Sequence, residues 1–255
     1  MTGSHLFAIY SLHPLPAQLK AEDVLELRDA ELWNRITRIL RLIEEEKVIL
    51  FDHNIQVTIK ILPATFQRKG WLVGTVIDVT LHQPLKPEVH LYPCLLKKDA
   101  FEEVVYVAAQ MGVTTITPVV SDKIQRRWGG EHEFERLKKI MIAACEQSKN
   151  FVLPQINQPQ KFDDVQKQWQ EIKKETAVNI AFYEGGKPLK NLMPLLTDHK
   201  IQSINLIFGP EGGFAEAELD LLTSNQVYFS ALTPTILRAK EAITVGVGIV
   251  RSITS

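Results

Sequence analysis

The residues best suited to chemistry form a glycine-rich loop that follows a short apolar run. The run Ile204–Phe208 reads INLIF, and the loop Gly209–Gly213 reads GPEGG. Glycines allow positive φ and let bare backbone N–H and C=O groups approach a ligand, so the loop could hold a nucleotide-like cofactor. It is not a Walker loop, because no Gly-Lys-Ser/Thr follows, and it lacks the G-x-G-x-x-G spacing. Most such loops are plain turns between a strand and a helix, so the loop alone leaves both interpretations open.

Three further blocks accompany this loop in the same chain. Upstream lie Ala109–Val113, AQMGV, and Ala144–Ser148, ACEQS. Downstream, Leu232–Ala242 reads LTPTILRAKEA, after a short apolar strand, Val227–Ala231, and before an apolar tail of helical length, Ile243–Ile253. No single block is specific, but the four blocks in this order are.

The four ordered blocks resemble the family that methylates N3 of a uridine in small-subunit (16S) ribosomal RNA, the RsmE-type branch of the SPOUT knotted methyltransferases. The resemblance implies an α/β fold, with a small N-terminal PUA-like β-barrel domain followed by a SPOUT α/β domain with a C-terminal trefoil knot. It implies S-adenosyl-L-methionine as the cofactor and a role in rRNA processing and ribosome biogenesis. The implied partners are small-subunit ribosomal RNA or the assembled small subunit, and a second copy of the chain in a homodimer.

The resemblance also assigns residues to a site. Backbone groups that hold the adenine and ribose are expected at Phe208, Gly209, Pro210, Glu211, Gly212, Gly213, Ala231, Leu232, Ile236 and Leu237. Uracil N3 attacks poorly while protonated, so a cation near O2 or O4 would stabilise the anionic base, and Arg238 is the expected catalytic cation. The alternative for Arg238 is a surface salt bridge, to Glu211 or Glu241.

The last block departs from the family's usual Leu-Arg-Thr-Glu-Thr-Ala, because Leu237–Ala242 reads LRAKEA. Lys240 stands where the family has an acid, and Glu241 could supply that carboxylate from one position later. Glu241 is therefore the second candidate catalytic residue. Two alternatives stay open: a catalytically weakened RNA-binding protein that assists ribosome assembly, and a methyltransferase for another RNA site.

Sequence patterns divide the chain into a first domain, residues 1–79, a Pro-containing linker, residues 80–88, and a second domain, residues 89–255. The first is expected to be mostly β with one amphipathic helix, Glu31–Leu42. In the second, apolar strands alternate with helices, which predicts a parallel sheet. Its predicted elements are a helix Phe101–Met111 that stops at Gly112, a strand Val113–Val120 and a helix Lys161–Thr176. A strand Asn179–Tyr183 is then expected before a second glycine-containing turn, Glu184–Gly186, near the expected cofactor.

Basic side chains that could grip RNA phosphates lie in two places. They are Arg35, Arg38 and Arg41 on the predicted helix, and Arg126 and Arg127 beside Trp128 in a loop. A solvated helix face and a mobile, solvated loop are the alternatives, because acidic residues follow the loop closely.

Composition limits the class of protein. The chain has 255 residues and a formal net charge of −1, so RNA affinity must come from local patches. Its two cysteines lie far apart without a zinc spacing, which favours buried free thiols, and its histidines show no metal-site spacing. We expect no metal. Without a leader or a run of about 20 apolar residues, we expect a cytoplasmic protein with no membrane segment.

Overall fold

The computed structural model describes residues 6–171 and 176–254. The chain folds into two compact units. The first comprises the chain up to Gln83 together with Cys145–Val152, and the second comprises Pro84–Ala144 and the chain from Leu153 onwards.

The first unit contains a five-stranded sheet with the strand order β1-β3-β4-β5-β2. Its strands are β1 (Phe7–Tyr10), β2 (Val24–Arg28), β3 (Lys47–Phe51), β4 (Ile55–Ile61) and β5 (Trp71–Leu81). Strand β1 pairs parallel with β3, whereas the other neighbours are antiparallel. Along β4 buried residues alternate with partly exposed ones, so one face of the sheet forms the core. Strand β2 was not predicted, although Leu25 and Leu27 alternate with Glu26 and Arg28 along it.

The helix predicted over Glu31–Leu42 is wrong in its extent. Helix α1 covers Ala30–Asn34 and continues as a π-helical turn, Arg35–Ile39, in which Leu40 N donates to Arg35 O at 2.8 Å. Arg41 follows with a φ of 55°, outside the helix. Apolar periodicity could not reveal this change of winding, because it reports which side chains are buried and not which carbonyl each N–H reaches. A second short helix, α2, covers Ala64–Gln67.

The second unit contains a six-stranded sheet with the order β13-β11-β12-β6-β7-β9, in which every pair is parallel, as predicted. Its strands are β6 (Glu88–Pro93), β7 (Thr115–Ile116), β9 (Gln155–Ile156), β11 (Ala177–Pro188), β12 (Ser203–Phe208) and β13 (Tyr228–Ala231). A separate pair joins β8 (Val119–Val120) to β10 (Gln160–Lys161). The single strand predicted over Val113–Val120 is therefore wrong, because Pro118 cannot donate to a ladder and the chain changes sheets there.

Helices connect these strands. They are α3 (Lys98–Gln110), α4 (Gly130–Ser148), α5 (Phe162–Glu171), α6 (Met193–Leu196), which follows a 3₁₀ turn (Leu189–Leu192), α7 (Glu216–Ser224) and α8 (Ala239–Thr254). Gly112 has a φ of 68° just beyond α3, which confirms the predicted glycine stop. The helix predicted over 161–176 corresponds to α5, and residues 172–175 lie outside the described residues. Within the described ranges, none of the helices has the length and apolar character that a membrane span requires.

An irregularity in β11 shapes the edge of the second sheet. The pairing of β11 with β13 shifts from Phe182 opposite Ser230 to Lys187 opposite Ser230, so residues 183–186 bulge out of the ladder. At Gly186 a Cβ atom would lie 2.6 Å from the backbone nitrogen of Ser230, so only glycine fits without a shift of the backbone. The predicted turn at Glu184–Gly186 is therefore a bulge within a longer strand.

Asp52 organises the turn between β3 and β4. This buried carboxylate accepts hydrogen bonds from Leu15 N at 2.7 Å through Oδ2, and from Asn54 N at 2.7 Å and Ile55 N at 2.9 Å through Oδ1. Burial alone would raise the pKa of Asp52, but the three backbone donors outweigh it and the pKa is lowered. The charged form is therefore the one that the fold stabilises.

We predict that Asp52→Asn lowers the free energy of unfolding at pH 7 by about 1–3 kcal/mol, because the new amide NH₂ faces a backbone donor. In the native protein, a lowered folded-state pKa adds stability above the unfolded-state value of about 4, and this stability is lost as the pH falls through the folded-state value. Urea unfolding between pH 7 and pH 2 should show this acid-side loss in the native protein and a smaller one in the variant. Asp78→Asn, an exposed position in β5, is the control, and equal pH profiles for the native and Asp52→Asn proteins would contradict the prediction.

Candidate active site

The carboxyl ends of β11, β12 and β13 border a cleft of about 580 Å³. All the residues predicted to hold a cofactor line this one cleft: Phe208–Gly213, Ala231, Leu232, Ile236 and Leu237. Arg238 lines it too. The fold thus brings together two segments that lie about 20 residues apart in the sequence, as the parallel-sheet geometry requires. Their binding roles stay predictions.

Aromatic rings and glycines shape the floor of the cleft. The rings of Phe182 and Phe208 stack with centroids 4.6 Å apart and an angle of 17° between their planes. A Cβ atom at Gly246 of α8 would lie 2.7 Å from Phe208 Cζ, so the helix packs closely behind the ring. In the loop, Gly213 has a φ of 69° and its N–H donates to Pro210 O at 2.9 Å. This tight turn gives the GPEGG loop a defined shape.

The segment between β13 and α8 lines the cleft and leaves several backbone N–H groups unpaired within the described residues. Thr233 Oγ1 donates to Thr235 O at 2.6 Å and stabilises the turn. The backbone N–H groups of Ile236, Leu237 and Arg238 have no hydrogen-bond partner within residues 6–171 and 176–254. Unpaired donors that line a cleft are the groups a heterocyclic ligand with nitrogen or oxygen acceptors would use.

Arg238 is exposed at the cleft, and it is the single basic side chain among the described lining residues. The salt bridge to Glu211 or Glu241, which was the alternative for Arg238, does not form within the described part of the chain. Glu211 Oε1 instead accepts a hydrogen bond from Lys97 N at 3.0 Å. The guanidinium is therefore available to an anionic or carbonyl-bearing ligand.

The reversed charge at Lys240 is neutralised locally. Lys240 Nζ lies 2.6 Å from Glu103 Oε2 of α3 and 3.8 Å from Glu241 Oε1. The hydrogen bond to Glu103 raises the pKa of Lys240. Glu241 is not among the lining residues of the cleft, although Ala239 and Ala242 are. The Oε2 atom of Glu241 is shielded from solvent and has no hydrogen-bond partner in the described chain.

The basic loop before α4 is anchored to the glycine loop. Lys123 Nζ donates to Phe214 O at 2.9 Å. Arg126 forms a two-bond ion pair with Glu133, at 2.9 and 2.7 Å, and is also within hydrogen-bond distance of Leu96 O. Arg127 remains exposed. Of the two arginines predicted to contact RNA here, Arg126 is thus already bonded to protein.

The three arginines predicted on one helix face are not equivalent. Arg35 makes a two-bond ion pair, at 2.9 and 2.7 Å, with Glu146, which belongs to the same unit. Arg38 is exposed, and its guanidinium carbon lies 5.6 Å from the centre of the Trp33 ring. Arg41 is exposed beyond the π-helical turn, so it does not continue the helical spacing.

Glu218 is a supporting residue that the sequence patterns did not single out. Its buried carboxylate accepts from Ser121 Oγ at 3.0 Å, Asp122 N at 3.1 Å and Ala215 N at 2.8 Å. It therefore joins the start of the basic loop to the first turn of α7, directly after the glycine loop. A signal does exist in the sequence, because a glutamate three residues after a helix cap is the acidic half of a capping box.

Within the described ranges, no group of three or more His, Cys, Asp and Glu side chains could hold a metal ion, and His5 lies outside those ranges. Cys94 and Cys145 are buried free thiols, as predicted, and burial raises the pKa of Cys145 to about 12.

The family model of the RNA methyltransferase domain matches residues 83–251. The chain belongs to the RNA methyltransferase domain family. This confirms the family resemblance carried by the four sequence blocks, and it places the whole cleft within the matched region.

Individual members of this family align with the chain over most of its length. Ribosomal RNA small subunit methyltransferase E from Rickettsia conorii is 30% identical over 171 residues, which is 67% of this chain and 66% of the relative. The chain spans 66%, 65% and 66% of the first three curated relatives it matches, just under two thirds of their length.

Two solved structures share the fold. That of ribosomal RNA small subunit methyltransferase E from Neisseria gonorrhoeae covers 97% of this chain and 98% of its own, with a TM-score of 0.79 and 20% identity. That of Lpg2936 from Legionella pneumophila covers 98% of both chains, with a TM-score of 0.77 and 24% identity. At these identities the likeness establishes the fold.

We predict that Glu218→Ala destabilises this family member by about 2 kcal/mol, because it leaves buried N–H and O–H donors without an acceptor. Thermal and urea unfolding should both show the loss. Asp220→Ala, an exposed position on the same helix, should change stability by less than about 0.5 kcal/mol. An unfolding free energy for Glu218→Ala equal to that of the control would contradict the prediction.

Proposed function

We propose that the protein is an S-adenosylmethionine-dependent methyltransferase that modifies N3 of a uridine in small-subunit (16S) ribosomal RNA. The observation that carries this proposal is the single cleft shared by the glycine loop, the backbone of 231–237 and Arg238. Membership of the RNA methyltransferase domain family supports the reaction class. The curated relatives are named ribosomal RNA small subunit methyltransferase E, and the solved Neisseria gonorrhoeae relative is bound to S-adenosylmethionine.

The cleft fits a nucleoside cofactor. Its volume of about 580 Å³ lies within the usual range for ligand sites. The unpaired N–H groups of Ile236 and Leu237 could donate to the acceptor edge of a purine, and the bare loop Gly209–Gly213 leaves room for close approach. When bound, S-adenosylmethionine supplies an activated methyl group. The protein's part is to orient the donor and acceptor and to exclude water.

Arg238 would act on the substrate. Its guanidinium is exposed at the cleft without an ion-pair partner in the described chain, so it can face a uracil oxygen and hold negative charge there as the N3 proton leaves. Glu241 would act as a supporting carboxylate, and the shielded Oε2 atom without a donor is the observation in its favour.

For the rest of the molecule we propose a PUA-like barrel in residues 1–79, a linker in residues 80–88 and a SPOUT domain with a trefoil knot in residues 89–255. The five-stranded sheet with its buried apolar face supports the barrel. The fold likeness to the Neisseria gonorrhoeae relative across 97% of the chain supports the whole arrangement. The same proposal includes a homodimer that completes the site. It also includes a cytoplasmic location, where ribosomal RNA or the small subunit is the substrate.

In this proposal, arginine side chains bind the RNA phosphates. Among the five candidates, Arg38, Arg41 and Arg127 are favoured for direct phosphate contact, because each is exposed. Arg35 and Arg126 already form ion pairs with carboxylates, so in this proposal they stabilise the segments that carry the other three arginines.

The reversed charge at Lys240 keeps two further candidates open, an RNA-binding assembly factor with weakened catalysis and a methyltransferase for another RNA site. The candidates share cofactor binding and differ in the step after it. Turnover on small subunits supports the enzyme, whereas binding without turnover supports the assembly factor, and methylation elsewhere supports the altered target.

We predict that the protein, incubated with unmodified small ribosomal subunits and labelled S-adenosylmethionine, produces 3-methyluridine detectable by nucleoside mass spectrometry. Arg238→Ala should lower the rate by about 100-fold, because a preorganised charge is lost from the transition state. Lys167→Ala, an exposed basic position on α5 outside the cleft, is the control. Absence of 3-methyluridine despite measurable cofactor binding would reject the uridine-N3 assignment.

We further predict that Glu241→Gln lowers turnover by at least about tenfold while cofactor affinity stays within about twofold, because a carboxylate that acts on the reaction matters most in the transition state. Single-turnover rates and calorimetric cofactor binding measure the two effects separately. Glu216→Gln on α7 is the matched control. An unaffected rate for Glu241→Gln would remove Glu241 from the catalytic set.

A further inference from the structure

The bulge in β11 places an acidic side chain at the cleft that the family motifs do not include. Tyr183 and Glu184 both line the cleft, together with the GPEGG loop. The bulge has little freedom, because a Cβ atom at Gly185 would lie 2.8 Å from the Tyr183 ring, and one at Gly186 would meet the backbone of Ser230 at 2.6 Å. Tyr183 also contacts Phe229 edge to face, with ring centroids 6.1 Å apart. The backbone that carries Glu184 therefore has little conformational freedom.

Glu184 and Glu211 are the two acids among the described lining residues, and their surroundings differ. Glu211 Oε1 already accepts from Lys97 N at 3.0 Å. Glu184 is exposed, and its side chain has no hydrogen bond or ion pair within residues 6–171 and 176–254. Of the two, Glu184 is thus the carboxylate with both oxygens available to a ligand.

We infer that the Glu184 carboxylate binds the ribose hydroxyls of the nucleoside cofactor, an inference that rests on the proposed function. An ionised carboxylate is an acceptor only, and its two oxygens match the two adjacent hydroxyl donors of a ribose. In dinucleotide-binding folds, acidic residues that follow a strand accept hydrogen bonds from ribose in this way. The requirement is the same in both cases, a carboxylate within reach of hydroxyl donors. Glu184 stands after the regular part of β11, at the carboxyl edge of a parallel sheet.

The competing role for Glu184 is attraction of the positive charges on S-adenosylmethionine. A sulfonium has no hydrogen to donate, so a carboxylate would gain only an unspecific attraction from it at an exposed position, where such attraction is weak. Hydroxyl donors offer short, charge-assisted bonds instead. The two roles separate with 5′-methylthioadenosine, which keeps the adenine and the ribose diol but carries neither the sulfonium nor the ammonium.

The test is isothermal titration calorimetry of the full chain with S-adenosylmethionine and with 5′-methylthioadenosine. The proteins compared are native, Glu184→Gln and Glu216→Gln, the last being an exposed acid of α7 that does not line the cleft. Glu184→Gln preserves size and removes the charge, and it should weaken both ligands by about tenfold or more, as expected for loss of charge-assisted bonds. Glu216→Gln should bind both ligands as the native protein does.

Two results would overturn the ribose assignment while leaving the proposed function intact. Native-like binding of both ligands by Glu184→Gln would show that the carboxylate makes no contact. Weakened S-adenosylmethionine with unchanged 5′-methylthioadenosine would show that it responds to charge. If the native protein binds neither ligand, the proposed function fails and the ribose assignment fails with it, so the two failures are distinguishable.

Discussion

The parallel pairing of β12 on both of its edges is the constraint on which the cleft depends. Ser203–Phe208 runs in register with Ala177–Phe182 on one side and Glu88–Pro93 on the other. Because all of these strands point the same way, their carboxyl ends meet at one edge, where open α/β sheets bind ligands. The GPEGG loop leaves the sheet at this edge, so its position is fixed by a ladder whose central strand is almost entirely buried.

The features that could be predicted from the sequence are those with a strong local signal. The buried run Ile204–Phe208, the glycine stop at Gly112 and the alternation of strands and helices all carry such a signal, and together they predict the parallel sheet and the site edge. The bulge at 183–186 could be predicted only as a glycine-containing turn, because the bulge itself arises from a register shift against β13, which is distant in sequence. The two-residue strands β9 and β10 were not predicted, since two residues cannot show a period, and β7 and β8 were predicted only as one continuous strand.

Charge patterns in the sequence also could not distinguish a phosphate-binding arginine from a structural one. Arg126 and Glu133 lie seven residues apart and form a two-bond pair in which both side chains are mostly buried. A guanidinium fork fits a carboxylate and a phosphate with nearly the same geometry. Only the fold decides between them, and here the carboxylates of Glu133 and Glu218 hold the loop 121–128, for which the sequence left RNA binding and a mobile, solvated loop both open.

The departure at Lys240 is best understood through its charge partners. Exposed ion pairs contribute little to stability, so the contacts of Lys240 with Glu103 and Glu241 do not explain why α8 packs where it does. Their effect is electrostatic, because the carboxylates of Glu103 and Glu241, at 2.6 and 3.8 Å from Lys240 Nζ, offset the positive charge of Lys240. Arg238 is then the one basic side chain among the described lining residues of the cleft, as it would be with an acid at position 240. Lys240 itself does not line the cleft, so its charge is directed to Glu103 and Glu241 and not to a ligand bound there.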